Sequence, residues 1–213
     1  TPTLTPAPAA ATPTAPVVPP ADDTATPTAA GPGGKVDCSQ LRCIALTFDD
    51  GPSPLYTAQI LDVFKAEGGS ATFFVLGPMA QESPDLLRRM VAEGHEIGNH
   101  TWSHKQLTTL TPEEIRQEIQ QTQDVVRSIV GFAPRIFRPP YGATNDQVRE
   151  IAGLREALWN VDTDDWLDRD TAIVTQRVLE SARPGAIVLM HDIHATTAQA
   201  VPTIVRTLKQ QGY

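Results

Sequence analysis

The sequence predicts an α/β protein: a distorted or incomplete (β/α) barrel of about seven parallel strands with outer helices. Three observations lead there. Strand-like and helix-like segments alternate from Cys43 onward with no hairpin signal between strands, the pattern of parallel strands joined by crossover helices. About 180 foldable residues fall short of the ~250 of a standard eight-unit barrel. No glycine-rich dinucleotide fingerprint supports the competing fold, an open doubly wound sheet.

The elements follow in order. Cys43–Asp49 is apolar and β-branched and breaks at Gly51-Pro52, so it reads as a strand. Tyr56–Glu67 places Ile60 and Phe64 on one helical face and stops at Gly68. Ala71–Leu76 is a buried strand. Ser83 caps a helix through Glu93, and His95–Gly98 is a short strand. Thr111-Pro112-Glu113-Glu114 is a capping box with proline at the first helical position. Ile115, Ile119, Val126 and Ile129 continue it with helical spacing as far as Gly131. Arg135–Arg138, Ala157–Val161 and Ala186–Met190 read as strands. Asn145–Ala152, Thr171–Ala182 and Thr197–Gln211 read as helices. A further strand is expected after Gly212, so the barrel is expected either to lack a final strand or to be open there.

Composition sets the outer limits. From Thr1 to about Gly34 the chain is nearly all Thr, Pro and Ala with some Gly, too apolar-poor to offset the entropy of ordering. Residues 1–34 are therefore expected to form a disordered linker or stalk, and residues 35–213 one folded domain. A net charge of −8 argues against nucleic acid. No apolar run is long enough to span a bilayer, and a first residue of Thr rather than Met suggests a processed or trimmed chain. Cys38 and Cys43 are expected to pair as a disulfide at the domain edge.

The chemistry-bearing residues sit where parallel α/β folds keep their sites, at the carboxyl ends of strands. Asp49-Asp50 ends the first strand, His100 follows the third, Arg138 ends the fourth, Asp162 follows the fifth and His191 ends the sixth. His100 and His104, four apart, face the same way on a helix or tight loop. With one carboxylate from another strand end they make a catalytic zinc set with an open position, or a non-haem iron set. Of Asp49 and Asp50, one can bind metal while the other acts on water; a plain Asp-Gly-Pro turn explains only one of them. Arg138-Pro139-Pro140-Tyr141-Gly142 is stiffened by its prolines, and its Arg can pair with a carboxylate and hold it ionised. Within Asp162-Thr163-Asp164-Asp165-Trp166 one acid can orient a histidine, and Trp166 can form a wall for a sugar. His191, after a buried run, suits general-acid work near neutral pH. His95 is expected to be structural and Trp102 to pack.

Together the segments Thr47–Pro52, His100–His104, Arg138–Tyr141, Asp162–Trp166 and Leu189–His191 resemble the five motifs of the polysaccharide deacetylases, the NodB-homology enzymes of carbohydrate esterase family four. The resemblance runs from Leu41 to Tyr213. It implies a divalent metal, zinc first and cobalt, nickel or manganese as substitutes, held by Asp50, His100 and His104. It implies Asp49 as catalytic base, His191 as catalytic acid, Arg138 as the partner of the base and Asp165 as the acid that orients the histidine, with Asp162 the alternative. Tyr141 is implied to give a backbone N–H to the oxyanion, and Leu189 and Trp166 to flank the acetyl methyl. The implied reaction is removal of N-acetyl groups from an N-acetylglucosamine polymer, chitin or peptidoglycan; the stalk suits an enzyme outside the cell or held at its surface, and a monomer is expected. Acetyl-xylan is the second substrate. An iron oxygenase would use the same ligands but need neither Asp49 nor His191. A non-catalytic carbohydrate-binding module would want more aromatics than three Trp and three Tyr.

Overall fold

The computed structural model describes Cys38 and residues 41–213. The expected linker over residues 1–34 and the expected domain start at Lys35 lie outside the described residues. The strands are β1 (Ile44–Asp49), β2 (Thr72–Val75), β3 (Glu96–Asn99), β4 (Ile136–Phe137), β5 (Arg155–Glu156), β6 (Val161–Asp162) and β7 (Ala186–His191). The helices are α1 (Thr57–Glu67), α2 (Gly77–Glu82), α3 (Pro84–Ala92), α4 (Pro112–Val130), α5 (Asp146–Ala152), α6 (Asp165–Asp168), α7 (Thr171–Ser181) and α8 (Ala195–Gln210).

All seven strands join one curled, wholly parallel sheet in the order β5-β4-β3-β2-β1-β7-β6. Apart from one break, this is the chain order of a (β/α) barrel. Register is what positions the site. Asp49 pairs with His191 across β1 and β7, Val75 with Asn99 across β2 and β3, and Asn99 with Phe137 across β3 and β4. The residues that end these strands therefore reach one rim at similar height.

The two-residue period of β1 sorts its side chains. Leu46 and Phe48 join the main apolar cluster, where Phe48 stacks on Phe73 at 5.3 Å and meets Phe64 of α1 edge-on at 6.3 Å. Thr47 and Asp49 face the other way, and both meet Arg138. A smaller cluster of Leu107, Ile115, Ile119, Phe137 and Val148 seats α4 and α5. The capping box at Thr111 forms as expected, with Thr111 and Glu114 exchanging hydrogen bonds. Burying the apolar faces of α1, α3, α4 and α8 against the strands contributes about 25 cal/mol per Å² of apolar surface removed from water.

Several expectations need correction. Of the strand expected over Ala157–Val161 only Val161 is in a strand: β5 ends before it at Glu156, β6 begins at Val161, and residues 157–160 cross the break in the sheet. The backbone carbonyls of Ala157 and Leu158 accept from the Arg138 guanidinium instead of a neighbouring strand. The opening consequently lies between β5 and β6, not after Gly212, because β7 pairs with β1 along six positions. Helices α2 and α6 have no counterpart in the sequence reading; each is short, and helical periodicity has little room to show in four to six residues. Cys38 and Cys43 form the expected disulfide, with Cα atoms 5.4 Å apart.

Candidate active site

The rim holds three linked assemblies. The first is a donor triangle. Asp50 Oδ1 lies 3.4 Å from His100 Nε2 and 3.3 Å from His104 Nε2, and one ligand atom from each residue lies within 4.8 Å of the others. His100 Nδ1 sits 2.7 Å from the Arg138 carbonyl. A carbonyl can only accept, so Nδ1 carries a proton, and Nε2 is the ring nitrogen left facing Asp50.

The turns that build the triangle are unusual. Asp50, Thr101 and His104 all have positive φ, at 74°, 71° and 57°. A β-branched residue such as Thr101 rarely adopts that conformation, and such strain clusters at functional sites. The bend after β1 also depends on Gly51. A Cβ there would lie 2.2 Å from the Asp192 carboxylate, so no side chain fits.

The second assembly is Asp49 with Arg138. Arg138 is fully buried. Its Nη1 donates to Asp49 Oδ1 at 2.7 Å and to Thr47 Oγ1 at 2.9 Å, while Nε donates to the Ala157 carbonyl at 2.8 Å. The guanidinium lies over the Phe74 ring at 4.1 Å. Asp49 Oδ2 faces His100 Nε2 at 3.7 Å, so this carboxylate borders the triangle from the Arg138 side.

The third is His191 with Asp165. Asp165 Oδ1 meets His191 Nδ1 at 2.7 Å, and Oδ2 accepts from the His191 backbone N–H at 2.8 Å and from Thr197 Oγ1 at 2.6 Å. Asp165, not Asp162, is thus the acid beside His191; Asp162 is exposed and accepts from Trp159 Nε1 and the Asp164 N–H. Leu189, two residues before His191 and on the same strand face, is buried, whereas Trp166 is half exposed and Tyr141 largely so. Tyr141 has φ 62° in the turn after Pro140, and its ring packs edge-on against His104 at 4.8 Å.

Electrostatics separates these groups. Burial alone would lift the Asp50 carboxyl, but the adjacent His100 imidazole, with the nearby His104 and His191 charges, holds it down at about 2. Burial likewise disfavours charge on both ligand-like histidines. At His104 it prevails and lowers the pKa; at His100 the Asp49 and Asp50 charges outweigh it and raise the pKa. The same negative field that would retain a proton on His100 favours any cation between the donors. Burial also works against a charged His191, but Asp165, Asp49 and Asp50 together push it up to about 9. His191 therefore keeps its proton through neutral pH.

A divalent metal fits the triangle. Asp50 Oδ1 is buried with no hydrogen-bond partner, a costly state for a carboxylate oxygen. Donor separations of 3.3 and 3.4 Å match the roughly 3.4 Å edge of a tetrahedron with ~2.1 Å metal–ligand bonds. Two imidazoles and one carboxylate leave a fourth position open.

The sequence reading passed over Asp192, Asn99 and Glu118. Asp192 is buried, accepts from Thr57 Oγ1 and is raised by burial to about 7. Its place next to His191 at a strand end was a usable signal. His95 is structural, as expected: it accepts from the Ala71 N–H and packs against Phe64 and Phe73. His194 sits 5.8 Å from His191, ring to ring, and 2.7 Å from Arg169.

The sequence profile of a family described as polysaccharide deacetylase matches residues 37–155. Peptidoglycan-N-acetylmuramic acid deacetylase PdaC of Bacillus subtilis is 48% identical over 178 residues, which are 84% of this chain and 38% of that protein. Peptidoglycan-N-acetylglucosamine deacetylase PgdA of Listeria monocytogenes is 50% identical over 170 residues, 80% of this chain and 36% of that protein. The chain thus spans between 36% and 38% of the length of these two relatives. The solved structure of PdaC from Bacillus subtilis superposes with a TM-score of 0.81 at 47% identity, covering 84% of this chain and 88% of that one.

Proposed function

The chain belongs to the polysaccharide deacetylase family, and we propose that it hydrolyses N-acetyl groups from an N-acetylglucosamine-containing polysaccharide, peptidoglycan or chitin oligomers, releasing acetate. The observation that carries this reading is the order of groups along the rim. A buried salt bridge, Asp49–Arg138, borders the donor triangle, and His191, which pairs with Asp49 across β1 and β7, stands beside it on its Asp165 partner. The relatives' names favour peptidoglycan as substrate.

Asp50, His100 and His104 would hold the metal, zinc by preference, with cobalt, nickel or manganese able to replace it. When bound, such an ion supplies Lewis acidity toward water and the amide carbonyl. Asp49 takes a proton from the attacking water while Arg138 keeps the carboxylate oriented. The water oxygen bonds to the carbonyl carbon, and the Tyr141 N–H donates to the oxygen on which charge develops. His191 gives its proton to the departing amine as the C–N bond breaks, and Asp165 stabilises the imidazolium before that transfer. Acetate and a free amino sugar result. Leu189 and Trp166 flank the acetyl methyl. The protein acts as a monomer outside the cell or at its surface, where a disulfide such as Cys38–Cys43 persists.

Acetate release should be measured side by side from peptidoglycan, chitin oligomers and acetyl-xylan, with and without a chelator. The expected result is release from one of the first two, abolished by chelation and restored by zinc. Release unaffected by chelation, or release from acetyl-xylan alone, overturns the proposal.

A further inference from the structure

The turn between the two imidazoles has no secondary structure to shape it. Its four consecutive backbone N–H groups are all received by side-chain oxygens. Asn99 Oδ1 takes the Thr101 N–H at 2.7 Å, Glu118 Oε2 takes those of Trp102 at 3.1 Å and Ser103 at 2.7 Å, and Thr101 Oγ1 takes that of His104 at 3.2 Å. Glu118 Oε1 also accepts from the Ser103 hydroxyl and faces Lys105 Nζ at 3.5 Å. One side chain thus holds half of these amides, and it comes from α4 rather than from the turn.

Glu118 is itself held firmly. It is only 6% exposed, on the buried face of α4 with Ile115, Ile119 and Thr122. The same helix anchors the end of β3: Asn99 Nδ2 donates to the Ile119 carbonyl at 2.9 Å and to Gln123 Oε1 at 3.1 Å. His100 leaves a regular strand and is oriented by the Arg138 carbonyl. His104 has no such strand. Its position follows from a turn that contains two left-handed residues, Thr101 and His104 itself, and such backbone persists only where its surroundings over-determine it.

We propose that Glu118 is a positioning residue for the metal site. It acts through the Trp102–Ser103 amides to place His104 opposite His100 and Asp50, and it touches neither ion nor substrate. This rests on reading Asp50, His100 and His104 as a metal site.

The test is affinity for zinc, measured on purified metal-free protein by competition with a chromophoric chelator, with the cobalt(II) absorption spectrum as a report of ligand geometry. Glu118→Met keeps the bulk and removes both acceptors. It should weaken zinc binding about 10–100-fold, the usual cost of losing an outer-shell partner, and alter the cobalt spectrum. Glu118→Gln keeps one acceptor oxygen for the two amides, and its NH2 can donate to the Ser103 oxygen. Its affinity should stay within about threefold of the original. Glu118→Met that melts like the parent without metal and binds zinc equally well overturns the inference. Should Glu118→Met not fold, Glu118→Asp decides: a shortened carboxylate cannot span the gap, so an unchanged affinity and spectrum again overturn it. Failure of the parent protein to bind zinc at all would instead overturn the metal-site reading, so the two failures are distinct.

Discussion

The proposed mechanism gives the rim a metal side, Asp50–His100–His104, and an acid side, His191–Asp165, and the two are built on opposite plans. Around Asp50 the backbone is bent, with three non-glycine residues at positive φ, and a buried carboxylate oxygen has no partner. Around His191 the ring projects from the end of a six-residue strand, and both oxygens of its carboxylate partner are hydrogen-bonded. The first plan leaves donors whose satisfaction must come from outside the chain. The second is complete within the chain, so its proton affinity is set internally. A cation site needs convergent lone pairs that no N–H consumes, and here the bends at Asp50, Thr101 and His104 bring three such groups together. A proton donor needs a fixed tautomer and a steady field, and a strand end with a buried acid provides both.

Three further measurements would sharpen or break this contrast. The largest effect should come from Asp49→Asn, which removes the proton acceptor but none of the three donors. Turnover should fall by about 10²–10⁴-fold, the usual contribution of a general base, while zinc affinity is kept. An equal loss of zinc binding in a chelator competition would show that Asp49 belongs to the metal side instead.

Asp165→Asn should act on the acid side alone. In metal-free protein, NMR titration of the His191 ring should find a pKa of about 9 in the parent and a value moved toward the ordinary ~6.5 in the variant. The sign for stability follows by linkage. A group whose folded pKa is raised contributes stability fully present below its unfolded pKa near ~6.5, and that stability is lost as pH rises through about 9. Urea midpoints of the metal-free parent should therefore fall between these two pH values, and those of the variant should fall less. Identical pH dependence in the two proteins would mean that Asp165 does not set the proton affinity of His191.

The smallest effect is expected from Thr111→Ala. It removes the cap of α4, worth about 1 kcal/mol in denaturant unfolding. Because Glu118 lies two turns further in, zinc affinity should not change. A coupled loss would show that α4 transmits fraying to the histidine turn.

Much of this was legible in the sequence. The alternation of apolar strands with capped helices implied a parallel fold. Acids and histidines at strand ends implied a shared rim, since parallel strands in register bring their carboxyl ends to one level. The capping box at Thr111 and the helix stops at Gly68 and Gly131 were readable because local backbone chemistry alone decides them. Tertiary structure alone decided the rest. Asp162 and Asp165 are equivalent in composition and spacing, and only the start of α6 turns Asp165 to His191. At the break between β5 and β6, Arg138, which follows β4, captures the carbonyls of Ala157 and Leu158. Glu118 reads as one more charge on a solvated helix until α4 docks beside the histidine turn. Periodicity and capping are encoded within a few residues, whereas the partner of a buried polar group is chosen by the fold, from residues far away in the chain.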